Sequence, residues 1–101
     1  MEIFTKNIKI LRRYSGMYFP SETLLEATSF VAGMDMMQDE AIGSQFRDWL
    51  LNEKLKIESS FSWPGLVELI MKQENIDKEK QIEVFLSLVS EFLETKSKLP
   101  D

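Results

Sequence analysis

The sequence predicts an all-α fold, a single small bundle of four to five helices that covers residues 1–101. Apolar residues recur along most of the chain at the three- and four-residue spacing of amphipathic helices. The breaks between these patterns are short, and no internal repeat or interdomain linker is present. A chain of 101 residues buries roughly two thirds of its unfolded surface, so one core can form without a disulfide or a metal.

Two apolar stripes near the start predict the first two helices. The first helix is expected over residues 2–14. Ser21 is expected to cap a second helix that extends to about Gln38 and contains Gly33, which costs about 1 kcal/mol of helix propensity. The stripes consist of Phe4, Ile8 and Leu11 in the first helix, and of Leu24, Leu25, Ala27, Thr28, Val31 and Met34 in the second.

Three further segments have helical spacing. A third helix is predicted over residues 44–53, capped by Ser44. A fourth begins at Pro64, because proline lacks an N–H that would be unpaired in a first turn. Asp77 opens the last helix, whose stripe is the strongest in the chain, and residues 54–61 are interpreted as a connection with a short strand as the alternative. The last stripe consists of Ile82, Phe85, Leu86, Val89, Phe92 and Leu93.

The loop between the first two helices carries large apolar side chains where polar ones are usual. Met17, Tyr18 and Phe19 are consecutive, and so short a loop cannot direct all three into one core. We expect Met17 and Phe19 to pack against the two helices, and the Tyr18 hydroxyl to be held by a backbone carbonyl or a water. The alternative is that the loop is a recognition surface in which Tyr18 contacts a partner.

Other large side chains could likewise lie either in the core or at an exposed interface. Trp49 lies on the stripe of its helix and is expected in the core, whereas Trp63 is equally suited to the core and to an interface. Met34 continues the stripe of the second helix. Met36 and Met37 cannot both face the same core, so one of them is expected at the surface.

The composition argues against catalysis. The chain has no cysteine and no histidine, which removes thiolate nucleophiles, the usual zinc ligands and the common general base. Asp35 with Asp39, and Glu22 with Glu26, lie one helical turn apart, but a hard cation needs several converging oxygens. We therefore expect no enzyme activity, no cofactor and no metal, and interpret these carboxylates as a solvated acidic face.

The net charge of −5 argues against a nucleic-acid partner, because that binding depends on cationic neutralisation of phosphates. The charge is uneven: residues 22–58 hold eight acids and three bases, whereas residues 1–21 hold four bases and one acid. A basic protein is the natural complement to the middle segment. The start lacks a signal peptide and no stretch approaches about 20 apolar residues, so no membrane association and a cytoplasmic location are expected.

Four segments, in order and across most of the chain, carry a family resemblance. They are Tyr14-Ser15-Gly16-Met17-Tyr18-Phe19-Pro20, then Phe30-Val31-Ala32-Gly33-Met34, then Phe46-Arg47-Asp48-Trp49, then Ser62-Trp63. Together they resemble small helical immunity proteins of contact-dependent inhibition and related polymorphic toxin systems. That family has an Arg-Pro-x-Met-Tyr-aliphatic-Gly loop, a Phe-x-x-Gly-aromatic signature, a Phe-x-x-Trp motif and a Ser-Trp pair. This chain departs from the pattern at Tyr14, Ser15, Pro20 and Met34.

The resemblance implies an immunity protein that binds a cognate toxin domain and blocks its active site. A nuclease-type toxin has a cationic substrate groove, which an acidic surface would both attract and occlude. The expected contact residues are Asp35, Asp39, Glu40, Asp48, Glu58 and Tyr18. The alternative is a non-catalytic interaction module or homodimeric adaptor, with the chain a monomer or a weak homodimer.

Overall fold

The computed structural model describes residues 2–98, which are mostly helical and contain no strand. The all-α fold class is therefore confirmed, but the described residues form six α-helices rather than four to five. The extra helix arises because the apolar loop after the first helix itself coils into one turn, Ser15–Tyr18. The helices are α1 (Glu2–Arg13), α2 (Ser15–Tyr18), α3 (Leu24–Met36), α4 (Gly43–Trp49), α5 (Trp63–Gln73) and α6 (Gln81–Lys98).

The start of α3 differs from the prediction, because Thr23 and not Ser21 is the capping residue. The Thr23 hydroxyl oxygen accepts a hydrogen bond from the backbone N–H of Glu26 at 3.2 Å. The Glu26 carboxylate in turn accepts from the backbone N–H of Ser21 at 3.1 Å. The first bond caps the helix, and the second ties the preceding loop to the first turn of α3. Glu22, between Ser21 and Thr23, takes the left-handed conformation with φ of 56°.

The third helix also differs from its prediction in its bounds and in its cap. α4 is followed without interruption by a π-helical segment, Leu50–Leu55, that ends where Lys56 adopts a φ of 55°. Ser44 is not its cap, since Ile42 precedes the helix and the capping oxygens come from another element. Residues 54–61, all of which the structure describes, form no strand. The carbonyls of Ser59 and Phe61 instead accept hydrogen bonds from the Arg47 guanidinium.

The last two helices begin close to their predicted positions. α5 starts at Trp63 with Pro64 in its first turn, and Ser62 is the residue that precedes the helix. Asp77 leads into a 3₁₀ turn, Lys78–Lys80, which continues directly into α6. The sequence signals of proline and aspartate near helix starts are confirmed here to within a few residues.

The buried side chains form one cluster, and α6 lies at its centre because it packs against α1, α3 and α4. Phe85 and Leu86 are fully buried, as the strong stripe of α6 predicts. Trp49 and Trp63 are half-buried and pack against the core; the Trp63 ring stacks on Phe85 with centroids 5.7 Å apart. The buried apolar residues of α6 are Phe85, Leu86, Leu88, Val89, Phe92 and Leu93.

The apolar loop is partly as predicted. Phe19 is fully buried, which confirms its core assignment, and its ring meets Phe30 edge-on at 5.6 Å. Met17 is 77% exposed, so the prediction that it packs against the helices is wrong. The single turn of α2 brings Phe19 inward while Met17 faces solvent. Tyr18 is half exposed against Phe30, and within residues 2–98 its hydroxyl forms no hydrogen bond.

Candidate interaction groove

An open groove of about 920 Å³ lies between the start of α1, the end of α3 with its following loop, and the end of α6. We call it the Met37 groove. Phe4 and Ile42 are buried at its base, whereas Ile3 and Met37 are mostly exposed. Its charged lining residues are Glu2, Asp39, Glu40 and Lys96. The groove therefore combines an apolar surface, continuous with the core, and an excess of carboxylates.

Helical geometry explains how apolar side chains reach this groove. Successive residues of a helix are about 100° apart, so Ile3 faces solvent when the next residue, Phe4, faces the core. Met34 lies partly buried on α3, and Met37 follows the last residue of that helix. The chain then turns through Asp39 and Glu40, which places two carboxylates beside the two methionines.

Asp35 fixes the loop that carries these carboxylates. One of its oxygens accepts from the backbone N–H of Ile42 at 2.8 Å and the other from that of Gly43 at 2.9 Å. The Gln38 side-chain amide donates to the same carboxylate at 2.8 Å. These bonds satisfy N–H groups at the start of α4 and tie it to the end of α3. The two ends of the intervening loop are thus held in place.

The close packing of Asp35 and Trp63 against the start of α4 also explains why position 43 is a glycine. A Cβ atom there would lie 3.2 Å from a carboxylate oxygen of Asp35 and 3.3 Å from the indole nitrogen of Trp63. Such contacts are closer than ordinary van der Waals packing, so a side chain at position 43 would displace one of these groups. The glycine lets the Asp35 carboxylate reach the backbone of α4.

The structure brings together only some of the predicted contact residues. Asp39 and Glu40 are exposed and line the Met37 groove. Asp48 on α4 and Glu58 in the loop after the π-helical segment are exposed but are not part of the groove lining. Tyr18 lies on α2, on a separate part of the surface from the groove residues.

Asp35 differs from the other predicted contact residues because it is only 6% exposed. Both of its oxygens accept hydrogen bonds from within the chain, so its place in the fold is to join two helices. The sequence pattern suggested a solvated carboxylate one turn before Asp39. That expectation missed the burial, because only the tertiary structure brings the start of α4 to this side chain.

Few of the acids are neutralised within the chain. Residues 2–98 contain three ion pairs: Arg12 with Glu83 and Lys54 with Glu91, each at 2.8 Å, and Arg47 with Asp48 at 3.7 Å. None of these pairs includes Asp39, Glu40 or Glu58. Asp39 and Glu40, beside the Met37 groove, therefore have no ion-pair partner within residues 2–98.

A second exposed surface lies on α3. We define the outer α3 face as Leu25, Ser29, Gly33 and Met36, which share one side of the helix because they are three or four residues apart. Leu25 is 73% exposed and Met36 is 80% exposed. Gly33 is open, since no atom lies within 4 Å of the place where a Cβ would be. The face contains no charged residue and no described element covers it.

Several groove residues were not identified from the sequence. Glu2 and Lys96 lie almost at opposite ends of the chain, and only the packing of α1 against α6 brings them to one groove. Ile3 had a weak signal, because it flanks the apolar stripe of α1 without belonging to it. No local pattern joins these residues to the loop after α3.

Two further properties of the described residues bear on function. Residues 2–98 contain no group of three or more carboxylates placed to hold a metal ion. In the same part of the chain, no helix combines the length and apolar character needed to cross a membrane.

Comparisons with protein-family models, with curated proteins and with solved structures found no match for this chain. The likeness to immunity proteins therefore rests on the four short motifs alone. The strongest functional evidence is the surface chemistry of the chain itself.

Proposed function

We propose that the chain is a non-catalytic protein-binding domain, an immunity protein that acts in the cytoplasm and neutralises a basic, nuclease-type bacterial toxin domain by occluding its active site. The observation that carries the proposal is the pair Asp39 and Glu40. Both side chains are exposed, neither has an ion-pair partner in the described residues, and both lie beside exposed apolar side chains. Such a combination suits a desolvated contact with a cationic protein surface.

The physical basis is electrostatic attraction followed by steric exclusion. An acidic surface raises the association rate with a cationic cleft, and the effect weakens as salt screens the charges. Once bound, the domain fills the space that a nucleic-acid substrate needs. Occlusion of this kind requires no catalytic residue. Asp48 and Glu58 lie outside the groove and contribute to the long-range field.

The test uses the toxin domain encoded directly upstream of this gene, since immunity genes usually follow their toxin genes. The purified chain is expected to inhibit that domain at a one-to-one ratio. The double variant Asp39→Lys with Glu40→Lys should slow association and reduce its dependence on salt, with a smaller effect on dissociation. Association is measured by stopped-flow fluorescence at several salt concentrations.

A matched control is the double variant Asp48→Lys with Glu58→Lys, which changes the net charge by the same amount outside the groove. A smaller decrease in the association rate than for the groove pair is expected. Equal effects of the two double variants would show that only net charge matters, and failure of the chain to bind or inhibit the toxin domain would overturn the proposed function.

A second candidate, a homodimeric adaptor, is favoured by the outer α3 face. Its large residues lie at the two ends and its small residues lie between them, so two antiparallel copies of α3 could place Leu25 of one against Met36 of the other. Sedimentation velocity over a range of concentrations tests this candidate. A monomer at every concentration excludes it, whereas a dimer that Leu25→Glu dissociates supports it.

A further inference from the structure

We infer that the Met37 groove receives a protruding basic side chain, lysine or arginine, of the partner protein, with the aliphatic stem on the apolar surface and the charged head against Asp39 and Glu40. This inference rests on the proposed function and specifies which surface makes the central contact. It divides the acidic residues into those that bind the partner directly and those that only attract it.

The apolar part of the groove fits an aliphatic stem. Ile3 is 77% exposed and Met37 is 87% exposed, and they lie beside the buried side chains of Phe4 and Ile42. Lysine and arginine bury their methylene chains along apolar surfaces while the charged group stays at a polar edge. Methionine is unbranched and polarisable, so Met34 and Met37 can adapt to such a stem.

The charge of the groove selects a cation. Its lining contains three carboxylates, Glu2, Asp39 and Glu40, and one ammonium group, Lys96. The Lys96 ammonium already donates a hydrogen bond to the side-chain oxygen of Gln45. A net negative lining remains, and a lysine or arginine head is the group that complements it.

An adjacent cleft between α1 and α6 shares Glu2, Glu40 and Lys96 with the Met37 groove but has no excess of carboxylates. That cleft is lined by Lys6, Lys9 and Lys96 and also by Glu2, Glu40 and Glu94, so its charges balance. A balanced lining favours neither sign of ligand. The excess of carboxylates arises where Asp39 joins the lining and Lys6 and Lys9 are absent from it.

The groove is also supported before binding. Asp35 holds Ile42 and Gly43 against the end of α3, so both ends of the loop that carries Asp39 and Glu40 are fixed. A surface ordered before association loses less conformational entropy when the partner binds.

The first experiment compares two exposed methionines in binding to the toxin domain. Met37→Ser should weaken binding by about tenfold or more, the size expected for a central contact residue. The matched control, Met36→Ser, changes a side chain of similar exposure that does not line the groove, and should change affinity by less than about twofold. Isothermal titration calorimetry measures both, and unchanged thermal melting shows that each variant is folded.

The second experiment uses small probes and the full chain without any toxin. The chain, labelled with ¹³C at methionine methyl groups, is titrated with butylammonium and butylguanidinium chloride, which mimic the two side chains. The methyl signals of Met34 and Met37 should move, and those of Met17 and Met36 should not. Butanol lacks the charge and guanidinium lacks the stem, so each alone should give smaller shifts. The relative response to the two cations indicates whether lysine or arginine fits better.

Neutralising variants complete the test. Asp39→Asn with Glu40→Gln should abolish the shifts, whereas Asp48→Asn with Glu58→Gln, an equal change in charge, should preserve them. Absent shifts at Met37, or equal shifts at Met17 and Met36, would overturn the groove assignment. If the toxin domain binds but the methionine variants have equal affinities, the groove assignment fails and the proposed function stands. If the probes bind but the toxin domain does not, the proposed function fails and the groove stands.

Discussion

Helices α3 and α6 are both rich in apolar residues, yet they distribute them differently. In α6 the large apolar residues lie on one side and face the core. In α3 they lie on all sides, so Ala27 and Val31 are buried while Leu25 and Met36 are exposed. A helix that is apolar all round normally has partners on all sides. The outward apolar residues of α3 are therefore not explained by the fold of this chain.

The position of each helix in the bundle accounts for the difference. α6 packs against α1, α3 and α4, whereas α3 makes its main helix contact with α6. Truncation of buried side chains in α6 should consequently lower stability, and truncation of Leu25 or Met36 on the outer α3 face should leave stability almost unchanged. Single variants can test this difference, and the burial of each side chain predicts the order of their changes in unfolding free energy.

The largest effect is expected at the centre of α6. Phe85 is fully buried and its ring stacks on Trp63, so Phe85→Ala removes a large side chain and leaves a cavity. The free energy of unfolding should fall by about 3 to 5 kcal/mol, a large share of the 5 to 15 kcal/mol typical of a domain. Urea denaturation followed by circular dichroism measures it.

Phe61 provides the matched control, since it is a phenylalanine of the same chain that is more than half exposed. Phe61→Ala should cost much less than Phe85→Ala. If Phe85→Ala unfolded at the same urea concentration as the parent, α6 would not be the main support of the core.

The second largest loss of stability is expected at Asp35, on the buried side of α3. Asp35→Ala removes the acceptor for the N–H groups of Ile42 and Gly43 and leaves the former buried without a partner. Hydrogen bonds to a charged group contribute about 1.5 to 3 kcal/mol, so a loss of that size in unfolding free energy is expected. Thermal melting at neutral pH measures the change.

Asp39→Ala, four residues further along, serves as the control because that carboxylate is exposed. Its effect on unfolding should lie within about 0.5 kcal/mol of zero. Equal stabilities of the two alanine variants would mean that the Asp35 bonds do not hold α3 to α4.

A smaller effect, of opposite sign, is expected at Gly33. Nothing lies within 4 Å of the position of an added Cβ, and the residue has ordinary helical conformation. Gly33→Ala should therefore stabilise the chain by about 0.5 to 1 kcal/mol through helix propensity and reduced freedom of the unfolded chain. Gly43→Ala should destabilise it, because the added Cβ meets Asp35 and Trp63.

The same contrast shows what the sequence could predict. A one-sided stripe such as that of α6 specifies both the helix and its buried face, so its core residues were identified. The one-turn helix α2 and the π-helical continuation of α4 were missed because neither has a local signal distinct from a loop or an α-helix. Asp35 looked like any surface acid because its partners lie seven and eight residues ahead, across a turn.

The candidate groove was predictable only in part. Asp39 and Glu40 stand out as acids in a polar break between helices, and at least one of Met36 and Met37 had to be exposed. The structure shows that both are exposed, because α3 ends at Met36. The contribution of Glu2 and Lys96 depends on how α1 meets α6, which no short pattern encodes.

The smallest change in stability is expected at Leu25, a large exposed residue of the outer α3 face. Leu25→Ala removes three carbon atoms from a side chain that is already mostly in water, and alanine has the best helix propensity. The unfolding free energy should change by less than about 0.5 kcal/mol. Leu86→Ala, the same substitution at a fully buried position of α6, should cost about 2 to 5 kcal/mol. Urea denaturation of both variants at low and high protein concentration measures the difference. A loss at Leu25 that approaches the loss at Leu86, and that grows with protein concentration, would show that a second copy covers the outer α3 face.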